Sequence, residues 1–471
     1  MNHYIVKTLG CKANLYDSQL IEAELQKRGW TPGLSGKDKV SLCIVNSCTV
    51  TDEADHQSRK MAARLSRENP DAVIVVTGCA AEVDPERLAS SKGITYVIGN
   101  RSKPQLVNRI LERLAGVPSD PRPEWPDVTE SFFTPPTRLQ GHSSKTRAFL
   151  KIQEGCNSFC TYCIIPYGRG PSRSLKPREV VMQVQELVSQ GIKEIVITGT
   201  NIGDYGTDWC DEPRLVQLLQ LVLSETELQR LRVSSLDPTE ITPELIALME
   251  QNPRFCPHFH VSLQSPHSRI LRLMKRRYKF EHVKECLERI SSLGQNLAGG
   301  AFVGMDVITG FPGETEAEFE WTREALASLP WSRLHVFPYS ERKGTPATRL
   351  PHAIPQNERI RRARLLNELS LEKLSGKYRQ VLEEQEKRKK PLGAVLLESG
   401  TESLDGVEHV VGHTTNYLRV LVPKSHPNAK TALGRNDIIE ATPRSLYVDT
   451  ARMEIALVAT TAANPQSQTN A

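Results

Sequence analysis

Three cysteines fall within eight positions in the stretch "EGCNSFCTYC", at 156, 160 and 163. The spacing Cys-x3-Cys-x2-Cys offers three soft thiolates from one loop, a donor set for iron–sulfur clusters or zinc. A structural zinc ion wants four closed ligands. His142 could be the fourth, but it precedes the strand on the wrong side. A 4Fe–4S cluster held by three thiolates keeps one iron with no protein ligand, and that iron can bind a substrate or cofactor. Packing cysteines without a ligand are the third possibility, and three in eight loop residues beside Asn157 and Thr161 do not resemble a core.

Cys11, Cys48 and Cys79 form a second, subtler set. Each lies just past a strand-like run: "YIVKTLGC", "SLCIVNSC" and "AVIVVTGC". In an open α/β sheet the C-terminal strand ends share one edge, where ligands bind. Separations of tens of residues would there collapse, and three thiolates could hold a second cluster. Packing cysteines remain the alternative. Cys43 sits mid-strand and reads as a small core hydrophobe, as do Cys210, Cys256 and Cys286.

Strands and helices must present these thiols. Residues 1–115 alternate strand and helix, with Asp17 or Ser18 capping a helix that runs through Lys27 to a stop at Gly29. Residues 116–147 are rich in Pro, Ser and Thr and read as a linker. Strands are expected at 148–153, 194–198, 231–234, 258–263, 301–309 and 333–338, separated by helical stripes such as Val180, Val181, Val184, Leu187 and Val188. Six repeats suggest a parallel, barrel-like sheet with Cys156, Cys160 and Cys163 at its C-terminal mouth, where such barrels do chemistry. A charged helix follows over 355–390. Beyond it, short β-rich runs with Gly and Pro breaks suggest a small barrel. The expected division is 1–115, 116–147, 148–375, 376–450, and a C-terminal strand and disordered tail over 451–471.

Composition sets the class. The 471 residues are 24 % charged and 39 % hydrophobic, as in an ordinary globular protein. No apolar run has the length of a membrane span, and the first residues lack a signal-peptide pattern. A cytoplasmic protein with reduced thiols is expected, so its ten cysteines are metal ligands or core residues before they are disulfides. A net charge of +5 is compatible with a nucleic-acid partner.

The loop motif resembles the radical S-adenosylmethionine superfamily, and Tyr162 matches the aromatic that superfamily places near the adenine. "TLGCKANLYDS", "NSCTVTDEAD", "VTGCAAE", "IQEGCNSFCTYCIIPYGRGPSRS", "ITGTNIGDYG", "GFPGETEAEF" and "GHTTNYLRVLVP" together resemble the methylthiotransferases, over roughly residues 1 to 445. The resemblance implies an N-terminal α/β domain, a partial (β/α)6 radical core and a C-terminal RNA-binding TRAM barrel. It implies two 4Fe–4S clusters, one on Cys11, Cys48 and Cys79 and one on Cys156, Cys160 and Cys163. It implies S-adenosylmethionine as cofactor, with Thr198, Gly199, Thr200 and Asn201 at its methionyl moiety and Tyr162 near its adenine. Gln264 ends the fourth strand, where it could hydrogen-bond ribose or substrate, or cap a turn. The reaction implied replaces an adenine C2–H by C2–S–CH3. The opening "TLGCKAN" is most similar to the branch acting on N6-threonylcarbamoyladenosine at position 37 of tRNA. Isopentenyladenosine in tRNA and a ribosomal-protein aspartate are the other family targets. Partners implied are the tRNA anticodon stem-loop and a low-potential electron donor such as a flavodoxin or ferredoxin, with the enzyme a monomer. Basic residues expected to face RNA are Arg169, Arg173, Lys275, Arg276, Arg277, Arg359, Arg361, Arg362, Arg364, Arg419 and Lys424, with Tyr417 nearby.

Overall fold

The computed structural model of the chain describes residues 2–35, 37–116, 146–209, 214–424 and 433–461. Residues 117–145 of the expected linker, His142 among them, Cys210 and the last ten residues lie outside that set; Arg147, the last residue of that linker, already opens a strand. No helix among the described residues is long and apolar enough to cross a membrane.

The N-terminal unit is a five-stranded parallel sheet. Its central strands, Val40–Ser47 and Val73–Gly78, are near-continuous apolar runs because helices cover both faces. The first helix is Lys12–Lys27, and it corrects the sequence expectation: Cys11, not Asp17 or Ser18, stands at its start. Asp17 and Ser18 are buried inside it. Asp17 pairs there with Lys103 and Lys151, a tertiary contact that outweighs its preference for a helix end.

The central unit carries six parallel strands: Arg147–Glu154, Glu194–Gly199, Arg230–Val233, His258–Gln264, Phe302–Thr309 and Arg333–Pro338. Ser234 interrupts the ladder after the third. The short strand Ser235–Leu236 then pairs with the fourth, and Leu231 bridges to Phe255. The sheet therefore curves as an open, partial barrel. Its main core also takes in Tyr16 of the first unit, whose hydroxyl meets Gln183 at 3.1 Å.

Helix Gln356–Arg388 runs without a break through residue 375, where the sequence suggested a boundary. Leu374, Tyr378 and Val381 on that helix pack into the C-terminal sheet, a six-stranded and mostly antiparallel half-barrel. The strand Glu454–Thr461 belongs to this sheet, between Arg419–Pro423 and Ala441–Asp449, and is not a separate terminal piece.

One buried ionic cluster holds the half-barrel under the core. Glu194 forms ion pairs with Arg147, Arg230 and Arg232 at 2.8 to 3.0 Å. Arg232 in turn donates to the carbonyls of Thr414 and Thr415 at 2.8 and 2.7 Å. Burial would raise the Glu194 carboxyl, but Arg232, Arg147 and Arg230 outweigh it and hold it at about 2. Its folded value is thus below the unfolded one. The stability it adds is complete above about pH 4.5 and is lost as pH falls toward 2. Glu194→Gln leaves three guanidiniums without their shared counter-charge. We expect it to cost about 3–5 kcal/mol at neutral pH. Denaturation midpoints of the two proteins should converge as pH falls below 4.5; a constant gap would refute this account.

Candidate functional site

Strand Arg147–Glu154 delivers the three-cysteine loop. Its last residues are polar although buried, and each organises the mouth. Gln153 accepts from the backbone N–H of Thr200 at 3.0 Å and of Asn201 at 2.8 Å. Its amide donates to the Gly155 carbonyl and the Ser172 hydroxyl, both at 2.8 Å. One side chain therefore joins the cysteine loop to the loop after Glu194–Gly199. Gly155 N–H also donates to Thr200 Oγ1 at 3.2 Å.

Cys160 is buried, while Cys156 and Cys163 are half-buried at the same mouth. Ser158 N–H points at Cys156 Sγ, 3.4 Å away. Arg276 Nη1 points at Cys160 Sγ, 3.3 Å away, while its Nη2 pairs with Asp237. These donors suit sulfur that carries negative charge. Without a metal, burial pushes the Cys163 thiol up to about 12; coordination by a metal would deprotonate it. Among the described residues no three His, Cys, Asp or Glu side chains converge as a single-ion site requires. A four-iron cube is larger than one ion and keeps its thiolates further apart. The donor chemistry of the loop fits such a cube.

Tyr162 packs beside Ile270, Met274 and Phe311, meeting Phe311 edge-on at 6.3 Å. Thr198 is buried, and Thr200 and Asn201 are partly open at the mouth. A Cβ at Gly199 would stand 2.8 Å from the Gln153 carbonyl oxygen, so close packing of the two strand ends already requires glycine there. Gln264 ends its strand at a register break with φ of +63°. A left-handed glutamine is uncommon, and such backbone collects where geometry serves a site.

Cys11, Cys48 and Cys79 lie at the C-terminal ends of three adjacent parallel strands. Gly10, with φ of +89°, lets Cys48 approach: a Cβ there would stand 2.7 Å from Cys48 Sγ. Cys11 is exposed, and Cys48 and Cys79 are buried. Burial pushes the Cys48 thiol up to about 12, helped by the nearby sulfurs of Cys79 and Cys11. This donor set, too, fits a cluster.

A five-residue helix, Ile165–Arg169, links the two sets. It starts two residues after Cys163. At its other end the Gly168 backbone packs against Cys79, where an added Cβ would lie 3.5 Å from the Cys79 Cβ. Asn100 donates to the Gly168 carbonyl at 2.7 Å and points at Cys79 Sγ from 3.4 Å. Buried Arg169 bonds to Glu154 and to Asn14 Oδ1, and lies 3.5 Å from Asp17. The Asn14 amide donates to the carbonyls of Leu9 and Ser47 at 2.8 and 2.9 Å, close to Cys11 and Cys48. Both asparagines and Arg169 thus tie the second cysteine set to the loop of the first.

Several basic residues expected at an RNA surface are engaged within the protein. Arg169 is the buried link just described. Arg276 is turned onto Asp237 and Cys160. Arg359 and Arg362 are buried, with Arg362 on Glu314 at 2.8 Å and Arg359 on Glu341 at 2.7 Å. Arg361 pairs with Glu316 and Glu358. Arg419 pairs with Glu402, and Lys424 with Glu408 at 2.9 Å. Tyr417 is stacked on His258 and His413, with centroids 4.2 and 4.8 Å away, and anchors the half-barrel. Apart from Arg361 with Glu358, three residues before it on the same helix, these partners are distant in sequence or on a neighbouring strand and were hidden from the charge pattern.

The Radical SAM superfamily matches residues 150–326, and the uncharacterized protein family UPF0004 matches residues 3–99. The chain is 39 % identical over 364 residues to "Threonylcarbamoyladenosine tRNA methylthiotransferase MtaB" of Rickettsia prowazekii, covering 77 % of this chain and 82 % of that protein. The protein of the same name from Bacillus subtilis is 35 % identical over 429 residues, covering 88 % and 89 %. A "tRNA-2-methylthio-N(6)-dimethylallyladenosine synthase" of Carboxydothermus hydrogenoformans is 31 % identical over 372 residues, covering 78 % and 82 %. Among solved structures, the radical S-adenosylmethionine methyltransferase TsrM of Kitasatospora setae shares the fold at a TM-score of 0.52, with 15 % identity and coverage of 74 % and 75 %.

Proposed function

Because the chain belongs to the radical S-adenosylmethionine methylthiotransferase family, we propose that it converts N6-threonylcarbamoyladenosine at position 37 of tRNA to its 2-methylthio derivative. The observation that carries the reaction type is the pair of cysteine sets joined through helix Ile165–Arg169. A methylthio group needs a radical to open the C–H bond and a sulfur source to fill it, and the two sets supply two sites on either side of that five-residue helix. The choice of nucleoside rests on the two relatives with the threonylcarbamoyladenosine name, which are more similar than the dimethylallyl one.

In this reading Cys156, Cys160 and Cys163 hold one 4Fe–4S cluster, and Cys11, Cys48 and Cys79 hold the other. When bound, the core cluster and S-adenosylmethionine supply the organic radical that breaks an unactivated C–H bond. The chain positions and shields. Gln153 fixes the Thr200 and Asn201 backbone beside the cysteine loop. Thr198, Gly199, Thr200, Asn201, Gln264 and Tyr162 line the cofactor's place. Arg276, set by Asp237, offers an N–H to Cys160. Electrons come from a low-potential carrier of the flavodoxin or ferredoxin type, and the cytoplasm is where such a carrier and tRNA meet.

Mass analysis of tRNA nucleosides from cells with and without the gene tests the proposal. Loss of only the methylthio group from threonylcarbamoyladenosine is the expected result. Loss from isopentenyladenosine would reassign the branch, and an unchanged profile would remove tRNA as substrate.

A further inference from the structure

We propose that Phe159 and Tyr167, with the basic residues Arg272, Lys275 and Arg277 beside them, form a stacking platform that receives unpaired bases of the anticodon loop. The inference rests on the tRNA reading above and names the surface that would serve it. Both rings are large and exposed, at 47 % and 46 %. They meet edge-on, with centroids 6.2 Å apart. Phe159 precedes Cys160, and Tyr167 precedes the Gly168 that packs on Cys79. The pair therefore lies on the solvent side between the two cysteine sets, where a base treated at both must be held.

Packing does not account for these rings. Phe159 has φ of +47°, a rare backbone state for a bulky residue, and it holds the ring outward instead of into a core. Strained backbone that presents a side chain to solvent points to a function at that place. Charge points the same way. Thr161 ties the cysteine loop to the basic segment, its N–H donating to the Met274 carbonyl at 3.1 Å and its hydroxyl to that of Leu273 at 2.8 Å. Arg272, Lys275 and Arg277 are exposed there. Among the described residues none of the three has a carboxylate within ion-pairing distance, unlike the inward-turned Arg276. The charge of Arg277 also acts on Asp204 and Asp237. Exposed aromatic faces on a loop tied to a basic segment suit splayed bases and their phosphates.

The test titrates reconstituted full-length protein with a labelled anticodon stem-loop RNA and with a fully paired stem of equal length. Phe159→Ala and Tyr167→Ala should each weaken loop binding on the order of tenfold, and leave binding of the paired stem unchanged. Phe159→Tyr and Tyr167→Phe should retain wild-type affinity. Lys275→Ala with Arg277→Ala should flatten the salt dependence for both RNAs. Iron content is measured for every variant. Wild-type loop binding by both alanine variants overturns the platform. Loss of iron in them also overturns it, since the rings would then be a shield for the cluster. If the wild-type protein binds neither RNA, the tRNA reading itself fails.

Discussion

Replacing Cys160 with alanine is expected to reduce 5′-deoxyadenosine formation to background, and methylthio product with it. Replacing Cys48 with alanine is expected to abolish product while deoxyadenosine still forms. The difference follows from the two sheets. Cys160 sits at the mouth of the partial barrel, within 3.3 Å of Arg276 and beside the Gln153–Thr200 loop. Cys48 ends a strand of a separate sheet and closes on Gly10. Each variant should lose about four of roughly eight irons per chain, but from different centres. Cys43→Ala is the control. Cys43 is buried mid-strand with apolar neighbours, so it should retain full iron and lose only packing, about 1–2 kcal/mol. The assay is anaerobic incubation with reductant, S-adenosylmethionine and tRNA, scoring the two products separately. Wild-type product from Cys48→Ala would remove the second cluster from its place. Deoxyadenosine from Cys160→Ala would do the same for the first.

Much of this architecture was legible in the residues, for reasons that also mark where legibility ends. The six core strands announce themselves because buried parallel strands are continuous apolar runs bounded by turns. The expected 333–338 and observed Arg333–Pro338 coincide. The first helix was misplaced at its start because Asp17 is a good cap by local chemistry, and only the folded core supplies Lys103 and Lys151. The cysteines stood out by spacing and by their place after strands. Gln153, Asn14, Asn100 and Arg276 did not, because each also works through partners remote in sequence: Thr200 for Gln153, Arg169 for Asn14, Gly168 for Asn100 and Cys160 for Arg276. One local sign was available: Lys151, Gln153 and Glu154 are polar in a strand that supplies Ala148, Leu150 and Ile152 to the core. Tyr417 shows the opposite failure. An aromatic beside Arg419 reads as a base-stacking site, yet the ring faces His258 and His413. Phe159 and Tyr167, hidden between cysteines and prolines in the motif, are the exposed pair.

Arg169 should matter to the second cluster although it belongs to the first cluster's domain. Its guanidinium bridges Glu154 of the core to Asn14 and Asp17 of the N-terminal unit. Asn14 in turn fixes the backbone beside Cys11 and Cys48. Arg169→Met leaves Asp17 and Glu154 buried with less positive charge, a loss of about 3–5 kcal/mol in comparable buried pairs. Lys151 still reaches both carboxylates, and Lys103 still holds Asp17, so the core strand and its cysteine loop should stay in place. Near Cys11 and Cys48 the strand ends lose the guanidinium that braces Asn14, while Tyr16 keeps Gln183 and Thr49 keeps Arg342. The expected variant therefore holds about four irons per chain where the parent holds roughly eight, and still forms deoxyadenosine. Arg169→Lys should fall between them, since an ammonium lacks the planar fork that spans Glu154 and Asn14 together. The measurement is iron content with the spectrum of the reduced clusters, which a change in turnover alone would not move. Full iron in Arg169→Met would show that the thiols of the N-terminal sheet are placed by their own strands, without help from the core.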